Sequence, residues 1–137
     1  IPLYVGFYLD GRLLLDEGRV VLARSSDLSA LPGRWWLPGG GIDFGETPRE
    51  CVVREFREET GLIVEPLALL DVLAEVTDLP ERNEQVHTVR VLYEVRLVGG
   101  SLLPEADGTT DAVAWHSVPE ALSLPLMPFV RAVLNVV

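Results

Sequence analysis

Three carboxylates, Glu55, Glu58 and Glu59, fall directly after Arg54 and just before Gly61 in this chain of 137 residues. On a helix that advances about 100° per residue, Glu58 and Glu59 project at roughly −60° and +40° from Glu55, so all three share one stripe. Like charges three and four residues apart repel, and nothing local favours the clustering unless a cation or a basic partner lies over it. The first chemistry this implies is a divalent metal site. The donors are hard oxygens, while one Cys and two His offer no thiolate or imidazole cluster. Such a set selects Mg²⁺ or Mn²⁺ rather than zinc.

The element that must carry these side chains is the best marked in the sequence. Thr47-Pro48-Arg49-Glu50 combines an N-cap, a proline at the first helical position and a capping-box acid, and Gly61 supplies the stop. Val52, Val53, Phe56 and Thr60 form the side expected to pack inward. Alternation and β-branched or aromatic content predict strands near Leu3 to Leu9, Val20 to Arg24, Trp35 to Leu37, Ala68 to Val76, Thr88 to Val98 and Ala112 to His116. Asp10-Gly11, Glu17-Gly18 and Gly99-Gly100 read as turns, and Arg12 to Leu15 reads equally as a separate strand or as an extension of the first. A second helix is expected from Met127 to Val136. Dominant strands with two covering helices predict a mixed sheet sandwiched by helices, in one domain over residues 1 to 137.

Composition narrows the partners. Eleven basic residues against 21 acidic ones leave a formal charge of −10, which repels nucleic acid and anionic lipid, so no DNA and no membrane partner is expected. A phosphorylated substrate remains compatible with this charge if metal ions mask the local field. The lone Cys51 suits a reducing compartment, no apolar run is long enough for a membrane span, and no signal-peptide pattern is present. The expectation is a soluble, cytoplasmic protein; the opening at Ile1 rather than methionine leads one to expect residues upstream.

Gly40, Glu46, Arg54, Glu55, Phe56, Glu58, Glu59, Gly61 and Leu62 resemble the Nudix box, the signature of the Nudix hydrolases, in every required spacing. Phe56 stands where an aliphatic residue is more usual, and Trp35-x-Leu37-Pro38-Gly39-Gly40-Gly41 extends the likeness upstream. The resemblance implies a Nudix-type α/β/α sandwich with a mixed β-sheet. It also implies metal-dependent hydrolysis of a diphosphate linkage in a nucleoside diphosphate derivative, such as a nucleoside triphosphate, ADP-ribose or a nucleotide sugar. By the same resemblance Glu55 and Glu59 are the principal metal ligands and Glu58 a further ligand or the base. The Gly40 carbonyl is an auxiliary ligand, Arg54 a clamp on the glutamates, and Glu46 a brace for Arg54. The three glycines at 39 to 41 are expected to permit positive φ and close approach of the backbone. A non-catalytic nucleotide-sensing or RNA-associated module is the alternative, and the resemblance also admits a homodimer, with no interface marked in the sequence.

Further candidates lie outside the box. Among downstream acids, Asp111 is the first choice for a catalytic base on a loop, with Glu84 its close rival and Glu105 and Asp107 behind them. The competing reading of Asp111 is a loop acid in the Asp107-Gly108-Thr109-Thr110 turn. Arg24, at a strand end before the box, is a candidate phosphate ligand, with Arg34 and Arg90 weaker. Trp36, with Trp35, Tyr4, Phe7 and Tyr8, offers an aromatic face for a nucleobase, although such residues in strands more often pack in the core. His87 and His116 read more readily as structural residues than as ligands. Cys51, one helical turn before Glu55, reads as a small residue that lets the glycine loop approach.

Overall fold

The computed structural model describes residues 4–9, 19–28, 31–103 and 110–135. Its elements run β1 (Tyr4–Leu9), β2 (Arg19–Ser25), β3 (Trp35–Trp36), α1 (Pro48–Thr60), β4 (Leu62–Leu79), β5 (Glu84–Gly100), β6 (Thr110–Ser117), α2 (Val118–Leu122) and α3 (Pro128–Leu134). One sheet has the order β1-β5-β4 and is mixed, since β1 lies parallel to β5 while β4 and β5 form an antiparallel hairpin. The other has the order β3-β2-β6 and is antiparallel throughout.

Local signals explain where α1 begins and ends. The Thr47 side chain accepts the Glu50 amide while the Glu50 carboxylate accepts the Thr47 amide, which satisfies two donors a helix start leaves open. Gly61 closes the helix at φ 77°, and a methyl group there would lie 2.4 Å from the Ser101 carbonyl oxygen. The apolar side of α1 supplies Cys51, Val52 and Phe56 to a core shared with β2, β4, β5, α2 and α3. Val20, Val21, Leu22 and Ala23 are all 0 % exposed. That unbroken burial marks β2 as covered on both faces, which is why its sequence shows an apolar run instead of alternation.

Several expectations change. The hairpin strands are longer than predicted, and Gly99 and Gly100 are not a turn but the end of β5, paired with Ile63 and Leu62. Gly100 sits at φ 81°, where a Cβ would be 2.3 Å from the Gly61 carbonyl oxygen, so glycine serves close strand approach. There are three described α-helices rather than two, and a 3-10 turn at Pro80–Arg82 joins β4 to β5. The additional one, α2, starts with its own capping box, Ser117 with Glu120 around Pro119. The last helix starts at Pro128, with Met127 as its N-cap residue. Val53 is only half-buried, so it does not join the inward face of α1. The turns at Asp10-Gly11 and Glu17-Gly18, the stretch Arg12 to Leu15, and Glu105 and Asp107 lie outside the described residues, as do the side chains of Tyr4, Phe7 and Tyr8.

Candidate active site

Arg54 is the hub of the acidic helix. Its Nε and Nη2 donate to the two oxygens of Glu46 at 2.7 and 2.9 Å, and Nη1 donates to Glu55 at 2.8 Å and to Glu58 at 3.2 Å. Nη2 also donates to the Gly41 carbonyl at 3.0 Å, and Asp43 stands 3.3 Å from Nε. One guanidinium therefore fixes the loop before the helix and two carboxylates on it.

The glycine loop approaches the same helix from the end of β3. Gly39 N–H donates to Glu59 at 3.1 Å, and Glu59 is buried at 4 % exposure. A Cβ on Gly40 would sit 2.5 Å from the Glu55 carboxylate carbon, so the absent side chain is what makes room for that carboxylate. Positive φ is not involved at residues 39 to 41; in this segment it occurs only at Gly45, at 86°. Gly45 closes a turn in which Glu46 N–H donates to the Asp43 carbonyl at 3.0 Å. Cys51 is 0 % exposed with its sulfur 3.5 Å from the Gly41 oxygen, so a larger side chain would push the loop away.

Electrostatics separate the acids. Hydrogen bonds from Arg54 hold the Glu46 carboxyl down at about 2. Burial pushes Glu55 up; Arg54 opposes this and the charge of Glu58 adds to it. Burial first, and then the Glu46 charge, push the Cys51 thiol up to about 12. That thiol is protonated and unreactive at neutral pH.

The donor set fits a divalent cation by its chemistry. Glu55, Glu58, Glu59 and the Gly40 carbonyl are hard oxygen donors beside a loop that a single methyl group would close. Among the described residues, however, no three such side chains converge tightly enough to hold an ion. The hydrogen bonds explain this: Arg54 draws Glu55 and Glu58 to itself, while the Gly39 amide engages Glu59. Glu58 is the open member, with its side chain 51 % exposed against 13 % for Glu55. On the solvent side of the helix, Glu46, Arg54 and Glu58 line a groove of about 590 Å³ with Arg49, Arg57 and Pro66.

The candidates from outside the box are placed elsewhere. Asp111 on β6 and Arg24 on β2 satisfy each other, with Asp111 Oδ1 accepting from Arg24 Nε at 2.7 Å. The Arg24 guanidinium also lies 5.8 Å from the Trp35 ring. Arg34 donates to the Leu126 carbonyl at 3.1 Å, fastening β3 to the segment before α3. Trp36 is half-buried, and its indole nitrogen finds no acceptor among the described residues. Glu84 opens β5 opposite Leu79 at the hairpin turn, and neither it nor Asp111 has a hydrogen bond to the Arg54 network among the described residues. Arg90 pairs with Glu75 at 2.6 Å and lies 3.7 Å from the Phe129 ring centre. His116 packs edge-on against Trp35, while His87 is exposed on β5. Sequence reasoning missed Asp43 of the network, whose signal was the Asp43-Phe44-Gly45 turn, and Arg49, which lines the groove beside it. Arg49 donates to the Pro66 and Leu67 carbonyls at 3.0 and 3.2 Å.

A capped acidic helix, a glycine loop packed onto it and an arginine hub between them make up the candidate site, and comparison with known proteins identifies the family. The family model for the NUDIX domain matches residues 11–135, and the chain belongs to this family. An ADP-ribose pyrophosphatase of Methanocaldococcus jannaschii is 34 % identical over 94 residues, covering 69 % of this chain and 52 % of that protein. The nucleoside triphosphatase NudI of Enterobacter sp. (strain 638) is 32 % identical over 88 residues, covering 60 % of this chain and 62 % of that protein. The chain thus spans a little over half the length of these two relatives. The crystal structure of a MutT NUDIX hydrolase from Burkholderia pseudomallei superposes with a TM-score of 0.75 at 24 % identity, covering 98 % of both chains. The chain has the fold of that family, as its box residues implied. Among the described residues, no helix is long and apolar enough to cross a membrane.

Proposed function

We propose that this chain hydrolyses a diphosphate linkage in a nucleoside diphosphate derivative, in the cytoplasm, with Mg²⁺ or Mn²⁺ held by Glu55, Glu58, Glu59 and the Gly40 carbonyl. The observation that carries the reading is the complete cluster tied through Arg54: Glu46, Glu55 and Glu58 on one guanidinium, with Glu59 on the glycine loop. A helix face that were merely solvated would have no need of it. The activities for which the two relatives are named, on ADP-ribose and on nucleoside triphosphates, share one chemical unit. That unit is a nucleoside joined through a diphosphate, and it sets the substrate class proposed here.

The chain's own residues divide the work. Bound at these oxygens, the cation supplies charge neutralisation for the diphosphate and acidifies a water molecule. Arg54 holds Glu55 and Glu58 at fixed positions, and Glu46 holds Arg54. Glu58, the most exposed of the three acids, accepts the proton that the attacking water gives up. Fixed positioning of these charges, made before the substrate arrives, accounts for most of the rate in reactions of this kind.

The test is Mg²⁺-dependent release of phosphate or monophosphate across nucleoside triphosphates, ADP-ribose, nucleotide sugars and dinucleoside polyphosphates, with Glu59→Gln as the blank. Turnover of one class that falls about a hundredfold or more in the variant supports the proposal. Binding without turnover anywhere on the panel overturns it in favour of a nucleotide-binding module.

A further inference from the structure

We propose that the groove on the solvent side of α1 receives the terminal phosphate of a nucleoside triphosphate and that Arg57 holds it there. This inference rests on the hydrolase reading. Within that substrate class it selects triphosphates over ADP-ribose, whose far end is an uncharged sugar. The groove encloses about 590 Å³ between α1 and Pro66 on β4, a size that suits a small-molecule site. Arg54 and Glu58 line it too, so it adjoins the acidic cluster. A substrate whose diphosphate lies over those acids can extend a further group into it.

Helical spacing builds the groove. Arg49, Val53 and Arg57 recur at steps of four residues, so they follow one side of α1 over about 12 Å of axial rise. Val53 and Pro66, both half-buried, supply apolar surface between the two arginines. Arg49 donates to the Pro66 and Leu67 carbonyls at 3.0 and 3.2 Å. That fixes the β4 wall, and because carbonyls carry no net charge the guanidinium stays uncompensated. Arg57 is exposed, and its guanidinium has neither a hydrogen bond nor an ion pair among the described residues. All five of its N–H donors are open to a ligand.

Charge selects an anion as the occupant. Of the acids on the groove, Glu46 and Glu58 share Arg54, while Glu50 accepts the Thr47 amide in the capping box. Three arginines against three glutamates leave the lining neutral, in a chain whose formal charge is −10. A polyanion is therefore repelled by the chain as a whole but not by this lining, and a divalent cation at Glu58 turns the balance positive. The arginine fork matches phosphate oxygens bidentately. Position 57 also lies in the last turn of α1, where any cation suits the helix dipole. Lysine would serve that role equally well and the phosphate less well, which separates the two.

The experiment is steady-state hydrolysis of a nucleoside triphosphate and of ADP-ribose, in saturating Mg²⁺, by wild type, Arg57→Gln, Arg57→Lys and Arg82→Gln. The last removes the same charge from an exposed position on the turn between β4 and β5. In Arg57→Gln the triphosphate KM should rise about tenfold or more, the scale of one charge-assisted hydrogen bond, with kcat changed by less than about threefold. Arg57→Lys should show a smaller rise, Arg82→Gln none, and ADP-ribose kinetics should stay as in wild type throughout. An unchanged triphosphate KM in Arg57→Gln overturns the proposal. So does an equal rise on both substrates, an equal rise in Arg82→Gln, or a wild type that prefers ADP-ribose. If wild type turns over neither compound, the hydrolase reading fails by itself, and calorimetric titration of the triphosphate with Mg²⁺ into wild type and Arg57→Gln decides the groove. Affinity lost in the variant supports it, and affinity independent of residue 57 refutes it.

Discussion

Gly40→Ala separates the site from the fold more sharply than any carboxylate change. The added methyl carbon would lie 2.5 Å from the carboxylate carbon and one oxygen of Glu55, and 2.7 Å from the other. Ordinary contacts of this kind are about 3.5 Å or longer, so the carboxylate must retreat by about 1 Å. The obstacle is the end of a flexible side chain, and Gly40 is not among the positive-φ glycines. The fold can therefore absorb the change. Reducing the entropy of the unfolded chain offsets part of the cost, by about 0.4 to 1 kcal/mol, and the net change in stability should stay within about 1 kcal/mol.

Catalysis has no such freedom. A displacement of about 1 Å in a reacting geometry costs on the order of a hundredfold in rate, equivalent to about 2.7 kcal/mol of barrier. Urea unfolding and steady-state turnover on the preferred substrate, measured on the same preparation, should show near wild-type stability with kcat down about a hundredfold. Gly41→Ala, whose methyl group would meet no atom within 4 Å, should cost far less. Wild-type kcat in Gly40→Ala would mean that the position of Glu55 does not matter to the reaction. A collapse in stability would mean that the loop cannot yield as described.

Three other perturbations test separate parts of the argument. Glu46→Gln removes a carboxylate held at about 2 against an ordinary 4.5. A depressed carboxyl contributes stability above its unfolded value, and that contribution is lost as pH falls through 4.5 towards 2. With solvent screening at a pair near the surface, about 1 to 2 kcal/mol is expected at pH 7, and urea titrations at pH 7 and pH 3 should find the wild-type advantage markedly smaller at the lower pH. Gly61→Ala places a side chain at φ 77° with a methyl 2.4 Å from the Ser101 oxygen, and should lower stability by about 2 to 4 kcal/mol in the same assay. Asp111→Asn breaks a pair whose side chains are 42 % and 45 % exposed, so it should cost under about 1 kcal/mol and leave kcat within a few-fold. A hundredfold fall in kcat with an altered pH profile would instead make Asp111 the base.

What the sequence reveals about this molecule depends on how local the cause is. Helix α1 is legible to the residue because its caps, its proline and its terminal glycine all act within one turn of their position. The long hairpin is not, because register shifts at Pro66/Ala68 and Leu69/Asp71 change the side-chain parity along β4, and the one at Ile63/Val64 changes it along β5. A period-two reading therefore recovers Ala68 to Val76 and misses the residues before the second shift and the end of the strand beyond Val76. Helix α2 carries the same capping signal as α1, yet its five residues are too few for a periodic pattern. The membership of the site is also legible, since spacing alone puts Glu55, Glu58 and Glu59 on one helix. Which way each carboxylate turns is not, because that is set by Arg54 and by a backbone amide twenty residues from Glu59 in the chain.

The arginine resolves why a cluster of like charges is stable in the folded chain. Of its donors, Nε and Nη2 are spent on Glu46 and the Gly41 carbonyl, leaving Nη1 to serve both Glu55 and Glu58. A guanidinium free to swing would pair bidentately with one of them and bury it in a salt bridge. Held by Glu46, it can offer each only a single bond, so both retain oxygens able to accept another partner. Glu46 thus keeps Arg54 from neutralising the acids it positions, and the Glu46→Gln variant should lose activity as well as its pH-dependent stability. A lysine at position 54 could not reproduce this division of donors, because an ammonium lacks the planar fork that lets one side chain address three carboxylates in fixed directions.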